Sequence, residues 1–157
     1  MGGGAGADSP FAISPDGRMA VTFRQVGGFT GDLWLRDLTR GTETRLTSTN
    51  VVGASPVWSP DGARIAFPAK YGSSFDLYSR DVGSNSETAV LKTSRDKYLS
   101  DWSPDGNVLL YSEIDPDTKS DLWYVPLDGG SRVPIAFARS KFVESSGRFS
   151  PDGRWVA

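Results

Sequence analysis

Acidic side chains recur along this chain at fixed intervals, and a row of carboxylates is the first pattern that could do chemistry. Asp16, Asp61, Asp105 and Asp152 share one position of a repeated phrase, Ser-Pro-Asp-Gly. Clustered acids serve as hard-metal ligands or as acid–base couples. A turn accounts for each of these, however. Proline presets φ at the second position, Asp tolerates the third, and Gly supplies the positive φ that follows. The turn serines, Ser14, Ser59, Ser103 and Ser150, lie 45, 44 and 47 residues apart, and acids in separate repeats stand too far apart to converge. A second column, Asp32, Asp76 and Asp121, opens the phrase Asp-Leu-(Trp/Tyr). Asp37 and Asp81 close that phrase, and Pro126 breaks the closing column. These acids are expected to cap strand ends by hydrogen bonding nearby backbone. Asp115-Pro-Asp117-Thr-Lys119-Ser120-Asp121 opens like a calcium loop. It carries Lys119 where the fifth ligand belongs and Ser120 where the loop needs glycine. A polar hairpin is expected instead.

What is missing narrows the chemistry further. The 157 residues include no histidine and no cysteine, which removes the commonest general base, the commonest transition-metal ligand and every thiolate site. A Ser–His–acid triad is impossible in this chain, and no Gly-x-Ser-x-Gly elbow occurs. Gly27-Gly28 and Gly129-Gly130 lack the pattern of a phosphate loop. The net charge of −2 and a pI near 5.1 give no electrostatic footprint for nucleic acid or an anionic membrane, and neither is expected as a partner. No apolar run approaches the ~20 residues of a membrane span. Residues 1–7, mostly glycine, read as a flexible lead-in without the basic and apolar regions of a signal peptide.

The elements that position these residues are short strands. Each Ser-Pro-Asp-Gly turn sits between apolar runs, as in 11–13 and 19–23, 56–58 and 64–67, or 99–102 and 108–111. Flanking runs of this kind make each turn a β-hairpin. The Asp-Leu-(Trp/Tyr) phrases at 32–37, 76–81 and 121–126 supply a third strand, and 42–47, 87–92 and 131–137 a fourth. No stretch holds helical periodicity over three turns. The fold class is therefore all-β. Four antiparallel strands in ~45 residues make one blade of a β-propeller. The expected organisation is a lead-in at 1–7, blades at 8–52, 53–97 and 98–142, and the truncated start of a fourth blade at 143–157. Trp34, Trp58, Tyr78, Trp102 and Trp123 fall at fixed repeat positions and are expected between stacked blades. The apolar run after the fourth turn stops at Ala157, and the chain is read as a piece of a longer protein.

The doubled signature, Trp-Ser-Pro-Asp-Gly followed by Asp-Leu-(Trp/Tyr), resembles the WD-repeat-like propeller repeat of the TolB type. It is also similar to the propellers of prolyl-oligopeptidase relatives and to the C-terminal propeller of bacterial Ser/Thr protein kinases. The resemblance covers residues from about 8 to 157. It implies a ring of six to eight blades, of which this chain holds three and the opening hairpin of a fourth. It also implies a non-catalytic binding or scaffold module of a larger bacterial protein, with an extracytoplasmic or periplasmic parent. An alternative is the gate domain of a prolyl-oligopeptidase-like serine hydrolase.

On a propeller the informative positions are those that break the repeat. Two residues before each turn serine stand Ala12, Val57, Asp101 and Arg148. The innermost strand of a blade lines the central channel, so Asp101 and Arg148 are expected to pair or to share a ligand there. Lys97, Tyr98 and Glu144 lie just upstream, and the five together form the expected binding group at the channel mouth for a protein or small ligand. No cofactor is expected on this reading. A second alternative is a metal-dependent hydrolase, with calcium or another divalent cation held at the channel by Asp101, Glu144 and Ser100 in an assembled ring. Open blade faces are apolar, and self-association, with two copies completing one ring, is expected.

Overall fold

The computed structural model describes residues 9–28, 30–47, 51–52, 56–128 and 132–157. The lead-in at 1–7 and the Gly129-Gly130 pair lie outside the described residues. Among those described there is no helix, and three four-stranded antiparallel blades stand side by side. Blade 1 comprises β1 (Ser9–Ile13), β2 (Met19–Gly27), β3 (Thr30–Asp37) and β4 (Glu43–Arg45). Blade 2 has an inner strand in two pieces, β5 (Val51–Val52) and β6 (Val57–Trp58), then β7 (Arg64–Ala69), β8 (Asp76–Asp81) and β9 (Glu87–Leu91). Blade 3 comprises β10 (Lys97–Trp102), β11 (Val108–Asp115), β12 (Lys119–Pro126) and β13 (Ile135–Ala138). Beyond it, Phe149 bridges Val156, and Arg148 and Ala157 exchange backbone bonds of 2.8 and 3.0 Å, which makes the opening hairpin of a fourth blade.

The Ser-Pro-Asp-Gly turn has the same wiring in all four copies. The serine hydroxyl donates to the Asp carboxylate at 2.6, 2.5, 2.6 and 2.6 Å. That carboxylate accepts the backbone N–H two residues on, at 3.0 to 3.1 Å. The serine oxygen accepts the N–H that opens the next strand, at 2.8 to 3.0 Å. Each turn glycine has φ between +69° and +79°, the left-handed region where a side chain is strained. A Cβ built on Gly62 would touch the Pro15 ring at 3.6 Å, one on Gly106 the Pro60 ring at 4.0 Å, and one on Gly153 the Pro104 ring at 3.6 Å. Every turn thus rests on the turn before it.

Two apolar seams hold the blades together. Val21, Phe23, Leu33 and Leu35 of blade 1 meet Trp58, Ile65, Phe67 and Tyr78 of blade 2. Val57, Ala66, Leu77 and Val90 of blade 2 meet Trp102, Leu109, Tyr111 and Val125 of blade 3. Large apolar residues on both sides of the central sheet explain why its strands lack a clean polar alternation. Burying each such side chain stabilises by about 1.5–3 kcal/mol. The Trp58 indole N–H also donates to the Ala12 carbonyl across the first seam, at 3.0 Å.

One detail departs from a simple row of separate blades. β5 pairs with β7 of its own blade and also with β3 of blade 1, Gly31 facing Val51. Blades 1 and 2 therefore share one continuous sheet. The start of β3 is pressed against β2, since a Cβ on Gly31 would lie 2.1 Å from the Arg24 carbonyl oxygen. Only glycine allows that approach, and it leaves the far edge of β3 free to take β5.

Candidate ligand cleft

The recurrent acids are structural. The turn aspartates lie on the surface. The serine hydroxyl, then the backbone N–H, holds each carboxyl below the ordinary carboxylate range. Both donors favour the ionised form. The third-strand acids each find a cation. Asp32 meets Arg45 at 2.9 Å, Asp76 meets Lys97 at 3.0 Å, and Asp121 meets Arg139 at 3.2 Å. The 115–121 segment is a hairpin in which Asp115 accepts the N–H groups of Asp117 and Thr118. Its carboxyl is lowered first by the Asp117 bond. Arg95 at 2.8 Å and Arg139 at 3.2 Å complete its charge balance. The space a cation would need is taken by guanidinium groups, and no metal-holding cluster occurs among the described residues.

Of the five residues expected at the channel mouth, Tyr98 and Arg148 border one cleft, and Asp101 and Glu144 adjoin residues of its lining. Asp101 and Arg148 face each other at 3.6 Å. Asp101 also accepts the Trp102 N–H at 2.9 Å and the Phe149 N–H at 2.8 Å, which ties the fourth hairpin to β10. Tyr98 stands edge-on to Phe75, with ring centroids 6.1 Å apart, and burial pushes its hydroxyl above the ordinary value. Glu144 directly precedes the lining residues Ser145 and Ser146. Its N–H donates to the Ser120 carbonyl at 2.7 Å, and its carboxylate takes the Ser140 hydroxyl on one oxygen while the other is buried without a partner.

Lys97 lies elsewhere than the open mouth. It is 0% exposed, and its ammonium donates to Asp76 and, at 2.6 Å, to the Arg95 carbonyl. The cause is the buried Asp76 of blade 2, which needs a counter-charge that the adjacent inner strand supplies.

The cleft between blade 3 and residues 145–148 has a volume of ≈ 290 Å³. Tyr98, Leu99 and Arg148 border it, and Ser100, Ser112, Ser120, Ser145 and Ser146 line it. Ser112, Ser120 and Ser145 do not stand out when single motifs are sought, because a serine in a strand announces nothing. The signal that finds two of them is comparison between repeats. Nine residues after the turn serine stand Phe23, Pro68 and then Ser112. Immediately before the third-strand acid stand Gly31, Phe75 and then Ser120.

The sequence matches the TolB beta propeller domain over residues 4–157. The chain belongs to that family. The structure is similar to that of TolB from Acinetobacter baumannii, with a TM-score of 0.78 and 20% identity, over 96% of this chain and 37% of that one. It is similar to a putative TolB from Agrobacterium tumefaciens, with a TM-score of 0.79 and 26% identity, over 93% of this chain and 51% of that one. Prolyl oligopeptidase B from Galerina marginata shares the fold at a TM-score of 0.60 and 18% identity, over 91% of this chain and 23% of that one. The chain therefore spans about half or less of the length of these relatives. No curated protein matches the sequence.

Proposed function

We propose that this propeller segment is a non-catalytic binding module of a larger protein, and that it takes its ligand in the cleft on blade 3. The observation that supports this reading is the break in the repeat. The seams between blades 1 and 2 and between 2 and 3 are filled by apolar side chains, whereas the same face of blade 3 carries hydroxyls, an aromatic ring and an accessible ion pair. A rigid scaffold presenting one polar concavity fits recognition. Asp101 accepts two backbone N–H groups and faces Arg148, so it ties the fourth hairpin to blade 3 and has a cation already beside it. The reading extends to self-association. The apolar half of the same face, Val108, Leu110, Tyr124 and Phe137, lines a cleft of ≈ 470 Å³ together with Phe149, Trp155 and Val156 of the final hairpin, and the exposed Phe137 and Trp155 at its edge suit a second copy.

The test is an amide-resolved NMR titration of the chain with a library of small polar and aromatic fragments. Perturbations gathered on residues 98–101, 112, 120 and 144–148 are expected. Perturbations scattered over the surface, or centred on the turn face, would overturn the reading. Hydrolysis of an activated ester, lost on chelation and in Asp101→Ala, would replace it with the metal-dependent alternative.

A further inference from the structure

We infer that the cleft between the first two Ser-Pro-Asp-Gly turns receives an arginine side chain of a partner protein, a docking surface apart from the cleft on blade 3. It lies between blades 1 and 2, each of which has its four strands, and the molecule shows what such a place takes. One step further round the stack of turns, the guanidinium carbon of Arg64 stands 5.2 Å from the centroid of the Trp102 ring. At that distance an aromatic face holds a cation. Arg64 is the fifth residue after its turn serine, and its counterpart at the first step is Met19. The serine hydroxyl of its own turn accepts the backbone N–H of each, at 2.8 and 2.9 Å, so the two occupy the same place in the fold. Trp58 is likewise the counterpart of Trp102. The first step has the tryptophan and lacks the cation.

What the cleft offers is an apolar bed and two negative charges. Its volume is ≈ 400 Å³, inside the ~300–1,000 Å³ typical of small-molecule sites. Met19, Trp58 and Val82 line it beside the rings of Pro15 and Pro60, and Asp16 and Asp61 line it as well. Trp58 is buried, and its indole N–H already donates to the Ala12 carbonyl at 3.0 Å, so the ring has no donor left for a guest. Both aspartates are exposed. Each takes a serine hydroxyl and a backbone N–H on the same oxygen, Oδ1, which leaves Oδ2 for a further donor. Neither has a cation within ion-pair distance among the described residues. Arg18 acts on Asp16, and Arg64 on Asp61, only at longer range, and the Arg64 guanidinium is turned over Trp102.

These features choose the guest. Two carboxylates with lone pairs to spare repel an anion and call for N–H donors. A bed of thioether, valine, proline rings and indole suits a stem of methylenes. Arginine joins the two. Its guanidinium is planar, weakly hydrated and always charged, stacks on aromatic faces and meets carboxylates with a fork of donors. The ammonium of lysine is a strongly hydrated point charge and gains less in such a place. Residues 15–18 and 61 are exposed on the turn face, so the backbone that carries the side chain can run across the turns.

The experiment is an amide-resolved NMR titration of the whole chain at low ionic strength. The probes are the capped peptide Gly-Gly-Arg-Gly-Gly and two relatives, one with citrulline for arginine, which keeps the shape without the charge, and one with lysine. The arginine peptide is expected to shift residues 14–19, 58–62 and 82 saturably, with a Kd on the order of 1 mM. The other two should bind at least about five-fold more weakly. Met19→Arg puts the chain's own guanidinium at the place Arg64 holds one step on, and should abolish the shifts. Asp16→Asn keeps an acceptor for the turn, removes the charge and should weaken binding about five-fold. It decides alone if Met19→Arg alters the spectrum away from the turns. The inference is overturned if the arginine peptide leaves the cleft unshifted, if citrulline or lysine binds as well, or if the deciding variant binds like wild type. Shifts centred instead on residues 98–101 and 144–148 would put the basic guest beside Asp101 and overturn it too. The reading of the blade 3 cleft stands or falls on its own fragment titration, since the two sets of residues do not overlap.

Discussion

The seam between blades 2 and 3 and the seam between blade 3 and the final hairpin differ in what they bury. In the first, Leu109, Tyr111 and Val125 are all 0% exposed, and the ion pair Lys97–Asp76 lies inside. In the second, Phe137 is 50% and Trp155 74% exposed, and the ion pair Arg148–Asp101 sits at the rim. The same strand geometry thus lines a closed core in one place and an open cleft in the other.

The sharpest way to break this comparison is through its two ion pairs. Lys97→Ala leaves Asp76 buried and unpaired and should cost about 3–5 kcal/mol, read as a lower urea midpoint. Arg148→Ala removes an exposed partner and should cost at most about 1 kcal/mol. Equal losses would mean that the second seam is as closed as the first. Replacing both Lys97 and Asp76 by apolar residues should restore much of what Lys97→Ala loses.

Next come the apolar contacts. Leu109→Ala should destabilise by about 2–5 kcal/mol, and Phe137→Ala by under about 1 kcal/mol, in the same unfolding assay. Self-association should respond in the opposite sense. We expect a species heavier than the 16.9 kDa chain by light scattering, and Phe137→Ser should shift it towards monomer while Leu109→Ala should not. A wild-type chain that stays monomeric at tens of micromolar removes the proposed pairing.

The smallest effect is expected at the turns. Their aspartates are held below the ordinary value by serine and backbone donors. Their contribution is therefore present above the unfolded pKa of about 4 and is lost as pH falls through the lower folded value. Acid titration followed by far-UV circular dichroism should show stability declining below about pH 4. Asp105→Asn should reduce that pH dependence slightly, and an unchanged profile would deny the turn carboxylates this role.

The blade architecture was legible because local chemistry specifies it. Proline, aspartate and glycine at one spacing dictate a turn wherever they occur, and the turn sets the register of the strands around it. The pairing of Asp101 with Arg148 was legible too, since both break one column. Lys97 was not, because its place depends on Asp76, which lies 21 residues earlier and in another blade. The serines of the cleft were hidden for a related reason. Their meaning comes from Phe23, Pro68 and Phase-matched positions in other repeats, and not from any neighbour in the chain.

The stacked turns have a direction. Proline lies beneath and glycine above at every step, from Pro15 under Gly62 to Pro104 under Gly153, while among the described residues nothing lies within 4 Å of the Cβ direction of Gly17. Such a contact joins unlike surfaces, and a pair of chains related by a two-fold axis through one seam cannot make it. A second copy that continued the stack would bring its Gly17 onto Pro151 of the first. Heterologous joints of this kind either close into a ring or run on as a filament, so the angle between successive blades decides which assembly the chain can form.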